Sequence, residues 1–200
     1  MTSVVELHIS DYKSVRTVYR AVVIGVIKEY LETPNMNYRS SQSKMKTATV
    51  SAYITSAKIA DKKSNDVWLN AKIALVILFI AKLWEDLWQD KRSGQMTQEE
   101  IDAIAQRHTD NYVRGLDGVF SEANVRRSSI KNVPLTLKGI DGRPPEFPCQ
   151  TCDNLKGQTH PAEWWVTNNL IPYQGNPNYA CGCWGCKHGL FDGNNTQYTL

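Results

Sequence analysis

Apolar positions recur at three- and four-residue steps through most of residues 11–120, and this spacing predicts helices. Val15, Val18, Tyr19, Val22, Val23, Val26, Ile27, Tyr30 and Leu31 fall on one face of an amphipathic helix. Ser10 or Asp11 is placed to cap it, and Pro34 stops it. Ahead of that cap, Val4, Val5, Leu7 and Ile9 alternate weakly, which reads as an extended arm. Residues 40–63 carry a second helical pattern through Met45, Ala48, Thr49, Ala52, Tyr53, Ser56, Ile59 and Ala60. Its small residues suit close approach to a neighbouring helix. The third pattern, residues 66–91, is the most apolar, with Trp68, Ala71, Leu75, Leu78, Ile80, Leu83, Trp84, Leu87 and Trp88. It predicts a central helix or a subunit-contact helix. Its longest apolar run, residues 73–81, is about half of the ~20 residues a membrane span needs, so a buried helix and no membrane partner are expected. A fourth helix opens on the capping box Thr97-Gln98-Glu99-Glu100, continues through Ile101, Ile104, Ala105, His108, Tyr112 and Val113, and runs to about residue 120.

Beyond residue 121 the periodicity stops. Residues 133–137 read as a short strand, and Gly142, Arg143, Pro144, Pro145 and Pro148 as a rigid, extended lead. Residues 192–196 read as a turn, followed by a tail that a partner would order. The expected fold class is mainly α: a bundle of about four helices with a small, irregular, Cys-rich, zinc-knuckle-like C-terminal segment. The expected division is a helical domain 1–122, a Pro/Gly linker 123–148 and a Cys/His-rich segment with its tail, 149–200.

Composition narrows the function classes. A 42% hydrophobic and 22% charged chain reads as globular, and a net charge of +3 is too mild to mark a nucleic-acid binder. The positive charge is unevenly spread: residues 1–65 hold ten Lys/Arg against five Asp/Glu, so any DNA contact is expected through the basic N-terminal helices. A solvated helix face is the commoner cause of such a bias. The chain has no Gly-rich phosphate loop, no H-E-x-x-H and no G-x-S-x-G. Glu6 and Asp11 precede the apolar stretch 21–27 and Lys28-Glu29 follows it, which does not read as a secretory leader. A reducing cytoplasm is therefore the expected site of synthesis.

The chemistry is concentrated at the C-terminal end. All five cysteines, Cys149, Cys152, Cys181, Cys183 and Cys186, lie within residues 148–190, with His160 and His188 among them. Cys149/Cys152 and Cys183/Cys186 form two C-x-x-C pairs, and four thiolates so arranged can close tetrahedrally on Zn²⁺. Cys181 or His188 can replace a member of the second pair, so Cys₄ and Cys₃His ligand sets both stay open. The bland reading is reduced thiols or a single disulfide. An odd number of cysteines in a reducing compartment favours a structural zinc ion over a disulfide framework. Gly182, Gly185 and Gly189 interleave with the ligands, and Trp164, Trp165 and Trp184 are read as packing around the site.

The order C-x-x-C-x-x-L-x-G, a tract ending in proline, then Cys-x-Cys, carried by Cys149, Cys152, Leu155, Gly157, Pro172, Pro177, Cys181 and Cys183, resembles the C-terminal end of phage head-morphogenesis proteins. These are the minor head proteins of tailed bacteriophages, of the Mu and SPP1 type. The resemblance covers roughly the last third of the chain. The family closes with a His-Pro-Asn-Cys-Arg-Cys type run, where this chain has Asn176-Pro177-Asn178-Tyr179-Ala180-Cys181-Gly182-Cys183. The resemblance implies a structural or assembly protein of the virion, a minor head or head–tail connection protein and not an enzyme, present in the host cytoplasm during assembly. It implies portal, capsid or tail-connector subunits as partners; a homo-oligomer suits such a symmetric particle.

An alternative is carried by the same segment. Cys149-x-x-Cys152, His160-Pro161, Asn168-Asn169, Cys183-x-x-Cys186 and His188 loosely resemble HNH-type metal-dependent nucleases. That resemblance implies His160 as general base, Asn168 or Asn169 as its orienting group and His188 beside the catalytic metal. Thr159 stands where such enzymes carry an acidic residue, and Lys156 and Lys187 are the only cations nearby.

Overall fold

The computed structural model describes residues 4–61, 67–92, 94–127, 130–140, 149–173, 176, 178–180 and 188–200, with side chains from Ile9 onward. Its order is α1 (Val4–Glu32), α2 (Tyr38–Ala60), α3 (Val67–Arg92), α4 (Gln98–Arg126), β1 (Pro134–Gly139), α5 (Gln150–Leu155), β2 (Thr159–Pro161), α6 (Ala162–Thr167) and β3 (His188–Phe191). The chain is mainly helical, and the four expected long helices are present. It divides into two compact units: a helical unit, Ser14–Thr55 with Asn65–Val113, and a mixed unit, Met1–Lys13 with Ser56–Ser64 and Arg114–Leu200.

The helical unit is built from apolar stripes. Val23, Ile27 and Tyr30 of α1, Met45 and Tyr53 of α2, Ile80, Trp84 and Leu87 of α3, and Ala105 and Val113 of α4 are all buried. The ring of Tyr30 meets that of Trp84 edge-on, with centroids 4.9 Å apart. Burial of Tyr19 pushes its phenol well above the ordinary range, although it shares a 2.9 Å hydrogen bond with Thr49. Helix ends are satisfied by side chains. Lys91 Nζ donates to the Tyr30 carbonyl at 2.5 Å and to that of Thr33, covering orphan acceptors at the end of α1. The capping box at Thr97 forms: Thr97 N donates to Glu100 Oε2 at 2.8 Å, and Glu100 N to Thr97 Oγ1 at 3.2 Å.

α3 departs from the buried helix its composition suggests. One face is packed, through Leu69, Val76, Ile80, Leu83, Trp84 and Leu87. On the other face Leu75, Leu78 and Phe79 are 51%, 68% and 57% exposed. Among the described residues α3 is the one helix long and apolar enough to cross a membrane by length and composition, and 28% of that apolar window is buried.

The mixed unit holds a three-stranded antiparallel sheet in the order β2-β1-β3. β1 is central, pairing Leu135 with His160 on one side and Leu137 with Leu190 on the other. The period-2 alternation buries Leu135 and Leu137 and leaves Thr136 and Lys138 partly exposed on the opposite face. Val125, Leu135, Leu137, Trp165, Ile171 and Leu190 form one core with Ile130, Ala162, Tyr173 and Tyr198, and Ile9 packs against it.

Several expectations are corrected here. The extended arm before Ser10 is helical from Val4 onward, and Ser10 and Asp11 lie inside α1 rather than capping it. Tertiary packing outweighs the weak alternation: Tyr12 is fully buried, stacked on Phe120 at 4.1 Å, with its hydroxyl on Asp117. α4 continues past residue 120 to Arg126 because Ser121, Ala123, Asn124 and Val125 are all buried. The C-terminal tail is ordered by its own chain. Asn124 Nδ2 donates to the Tyr198 carbonyl at 2.8 Å, and Leu200 N donates to Ser121 Oγ at 3.0 Å. The segment after residue 149 is also less irregular than expected, since α5, β2, α6 and β3 all form within it. The short strand expected over 133–137 forms as β1 at Pro134–Gly139 and is the central strand of the sheet.

Candidate functional site

Cys149 and Cys152 open α5. Cys149 is the N-cap in an extended conformation, and its Sγ accepts the backbone N–H of Cys152 at 3.5 Å. An N–H aimed at a cysteine sulfur from three residues on is what a thiolate-holding knuckle requires, because it stabilises charge on the sulfur. Both side chains are buried, at 3% and 2% exposure, and both are thiols. Tyr179 is buried beside them, with Leu155 and Leu170 packed on the same cluster.

Two residues of the phage-like pattern acquire physical roles. Leu155 packs both on the cysteine cluster and on the sheet core. Gly157 has φ +80°, a conformation that favours glycine, and its N–H donates to the Leu137 carbonyl at 2.9 Å. The turn after α5 is thereby tied to β1.

The loop returning to the cysteines is fixed by polar side chains. Asn176 is buried; its Nδ2 donates to the carbonyls of Asn169 and Ile171 at 3.0 and 2.9 Å, and its Oδ1 accepts from Asn178 N at 3.0 Å. Tyr179 Oη donates to the Leu170 carbonyl at 2.6 Å. Ala180 N donates to Thr151 Oγ1 at 3.1 Å, which places the chain against α5 between Cys149 and Cys152. Sequence reading missed Asn176, Tyr179 and Thr151 as organisers. Their only sequence signal is a polar, proline-containing run just ahead of a cysteine.

His188 begins β3 and is 5% exposed. Burial holds its imidazole below the ordinary range, with Lys156 adding to that and Asp153 opposing it, so it lies within electrostatic reach of α5. Cys181, Cys183 and Cys186, with Gly182, Trp184 and Gly185, lie outside the described residues. Among the described residues, no three His, Cys, Asp or Glu side chains come together as a metal site. Cys149 and Cys152 stand together at the start of α5, one as its N-cap and one in its first turn.

The groups that the nuclease alternative would use have structural partners. His160 stacks on Trp164 at 3.7 Å between ring centroids, and its Nε2 lies 3.0 Å from Gln158 Oε1. Asn168 Nδ2 donates to the Trp164 carbonyl at 2.8 Å at the end of α6, and Asn169 takes a left-handed turn with φ 53°. Thr159 shares a 2.7 Å hydrogen bond with Thr136 across the sheet. Trp165 is core: fully buried, with its indole N–H on the Leu135 carbonyl at 3.0 Å. In the helical unit, three of the basic N-terminal side chains meet carboxylates: Arg20 with Asp110, Lys28 with Asp102 and Lys44 with Glu29, at 2.8, 2.7 and 3.0 Å. No protein-family model, no curated protein and no solved structure matches the chain.

Proposed function

We propose that this chain is a structural or assembly protein of a tailed-phage particle, a minor head or head–tail connection protein, whose C-terminal segment is closed by one structural zinc ion. Cys149 and Cys152 are its first two ligands, and the others are drawn from Cys181, Cys183, Cys186 and His188. The observation that carries the metal reading is local. A buried C-x-x-C pair, one sulfur already accepting a backbone N–H, sits where Ala180, the residue just ahead of the second cysteine group, is hydrogen-bonded to α5. A zinc ion bound there is structural, tying the incoming and outgoing chain to one short helix. The virion reading rests on the resemblance of the same segment to phage minor head proteins. Its partners are portal, capsid or tail-connector subunits, with any DNA contact made through the basic N-terminal helices.

The metal reading is tested by plasma mass spectrometry on protein purified without chelator. One zinc per chain is expected, lost with the mixed unit's fold in Cys149→Ser/Cys152→Ser; a metal-free, folded wild-type chain sinks it. The virion reading is tested by disrupting the coding sequence in the phage. Unjoined or unfilled particles, rescued by the wild-type chain but not by the double serine variant, are expected. Magnesium- or manganese-dependent DNA cutting abolished by His160→Ala would replace it with the nuclease.

A further inference from the structure

We infer that the cleft between the start of α2 and the end of α3 binds a short zwitterionic peptide with an aromatic side chain. This inference concerns the helical unit alone and stands whether or not the cysteine segment binds zinc.

Local contacts hold both walls of the cleft in place. Asn37 caps α2: its Oδ1 accepts Arg39 N at 2.9 Å, and its carbonyl accepts Ser41 N at 3.2 Å. Lys91 of α3 donates to the Tyr30 and Thr33 carbonyls, and Met36 N donates to the Thr33 carbonyl at 3.1 Å, so the chain entering α2 is tied to α3. The Tyr38 ring meets that of Trp84 edge-on, with centroids 6.3 Å apart, and the Arg92 guanidinium lies 4.5 Å from the centre of the Trp88 ring. Asn37, Tyr38, Arg39, Glu85 and Trp88 line a cavity of about 500 Å³. Small-molecule sites run to roughly 300–1,000 Å³.

Among the described residues, two charged side chains line this cavity, and they are of opposite sign. Arg39 and Glu85 are exposed, and neither side chain is hydrogen-bonded or ion-paired to the described residues or to the other. In the same unit Arg20, Lys28 and Lys44 each meet a carboxylate, so two unlike charges left apart in one cleft are a departure. Trp88, 39% exposed, supplies a flat apolar wall beside them. This lining discriminates among ligands. An apolar molecule would take water from both charges and return no partner. A polyanion such as a nucleotide would be repelled by Glu85, and a polyamine by Arg39. A ligand with one carboxylate and one ammonium satisfies both, the carboxylate on the guanidinium and the ammonium on Glu85. An aromatic side chain between them stacks on Trp88 or Tyr38. Because Arg39 and Glu85 do not pair directly, the ligand's charges must also stand apart. The two termini of a peptide do this better than the ammonium and carboxylate of one amino acid, which share a single carbon.

The test is isothermal titration calorimetry of the full chain with glycyl-L-phenylalanine, its N-acetyl derivative and its C-terminal amide, with circular dichroism to confirm helicity. The zwitterion is expected to bind about tenfold more tightly than either derivative, since each derivative lacks one charge pair. Glu85→Gln should weaken the zwitterion about tenfold and remove its advantage over the N-acetyl form, while its advantage over the amide stays; Arg39→Gln should do the reverse. Trp88→Ala should weaken all three probes alike, by about tenfold or more. A wild-type chain that binds none of the three overturns the inference. So does a derivative that binds as tightly as the zwitterion, or a Glu85→Gln or Arg39→Gln variant that keeps the wild-type order of preference.

Discussion

The helical unit and the mixed unit solve the same problem by different means. In the helical unit, long apolar stripes face one another, and most backbone groups are satisfied within their own helix. Many side chains share the work, so one poor contact is diluted among neighbours. In the mixed unit the strands are three to six residues long and the helices after residue 149 have six residues each. Such elements cannot hold themselves together. Single side chains take the place of repeated contacts: Trp165 on the Leu135 carbonyl, Asn176 on two loop carbonyls, Tyr179 on a third. Stability in the first unit is distributed, and in the second it is concentrated at named residues. Substitutions should therefore separate the two units by size of effect.

The largest effect is expected at Trp165. Trp165→Ala removes a fully buried indole from the centre of the mixed unit's core and frees the Leu135 carbonyl in the central strand. A loss of about 3–5 kcal/mol is expected, read from urea denaturation followed by circular dichroism. Trp165→Phe should cost less, since it keeps most of the packing and loses the hydrogen bond. A loss below about 1 kcal/mol for Trp165→Ala would show that the mixed unit is as redundant as the helical one.

Next is Asn176. Its replacement by Ala leaves the carbonyls of Asn169 and Ile171 without their side-chain donor and releases Asn178 N, at an expected cost of about 2 kcal/mol. The effect should also reach the cysteine cluster, because Tyr179 and Ala180 follow directly. Cys149 and Cys152 should then react faster with a thiol reagent in the metal-free variant than in metal-free wild type. An unchanged rate would mean that α5 keeps its thiols covered without help from the loop.

How much of this was legible in the sequence follows the same division. The long helices could be read because a 3.6-residue repeat sustained over twenty or more positions is hard to imitate, and because Pro34 and the Thr97 box mark their ends locally. The start of α1 and the end of α4 were not legible. Their extra turns are held by Tyr12 on Phe120 and by the chain terminus on Ser121 and Asn124, contacts between residues 74 to 108 positions apart. β2 was invisible because Thr159, His160 and Pro161 carry no alternation; their strand is defined by pairing with β1. For the candidate site, the C-x-x-C spacing pointed to Cys149 and Cys152, which lie buried at the start of α5. The loop organisers were hidden, since nothing in Asn176 alone says that its amide faces two carbonyls.

A smaller effect probes the join between a long helix and the short elements of the mixed unit. A Cβ added at Gly118 of α4 would lie 2.8 Å from Cδ2 of Tyr173 and 3.2 Å from its Cε2. Alanine gains up to about 1 kcal/mol of helix propensity, but the crowding of a buried ring costs about 1–3 kcal/mol. Gly118→Ala should therefore destabilise by about 1 kcal/mol, and pairing it with Tyr173→Leu should recover the helix gain. A stabilised single variant would show that the Tyr173 ring moves aside freely, and that the mixed unit is softer than its buried core suggests.

The smallest expected effect lies in the helical unit and depends on pH. His108 is half-buried on α4, and burial holds its imidazole below its ordinary value of 6.5. Arg107 acts in the same direction, while Asp86 and Asp90 oppose it. The folded chain therefore resists a proton that the unfolded chain accepts near pH 6.5. Between that value and the lower folded one, the unfolded state binds more protons, so stability must fall as pH falls through this window and is complete above it. Urea midpoints measured from pH 8 to pH 5 should decline for the wild type, and His108→Gln should decline less over the same range. The difference between the two profiles isolates His108 from the other histidines. Identical profiles would mean that Asp86 and Asp90 cancel the effects of burial and Arg107, so that charges arranged along helix surfaces offset the packed interior in the unit's response to acid.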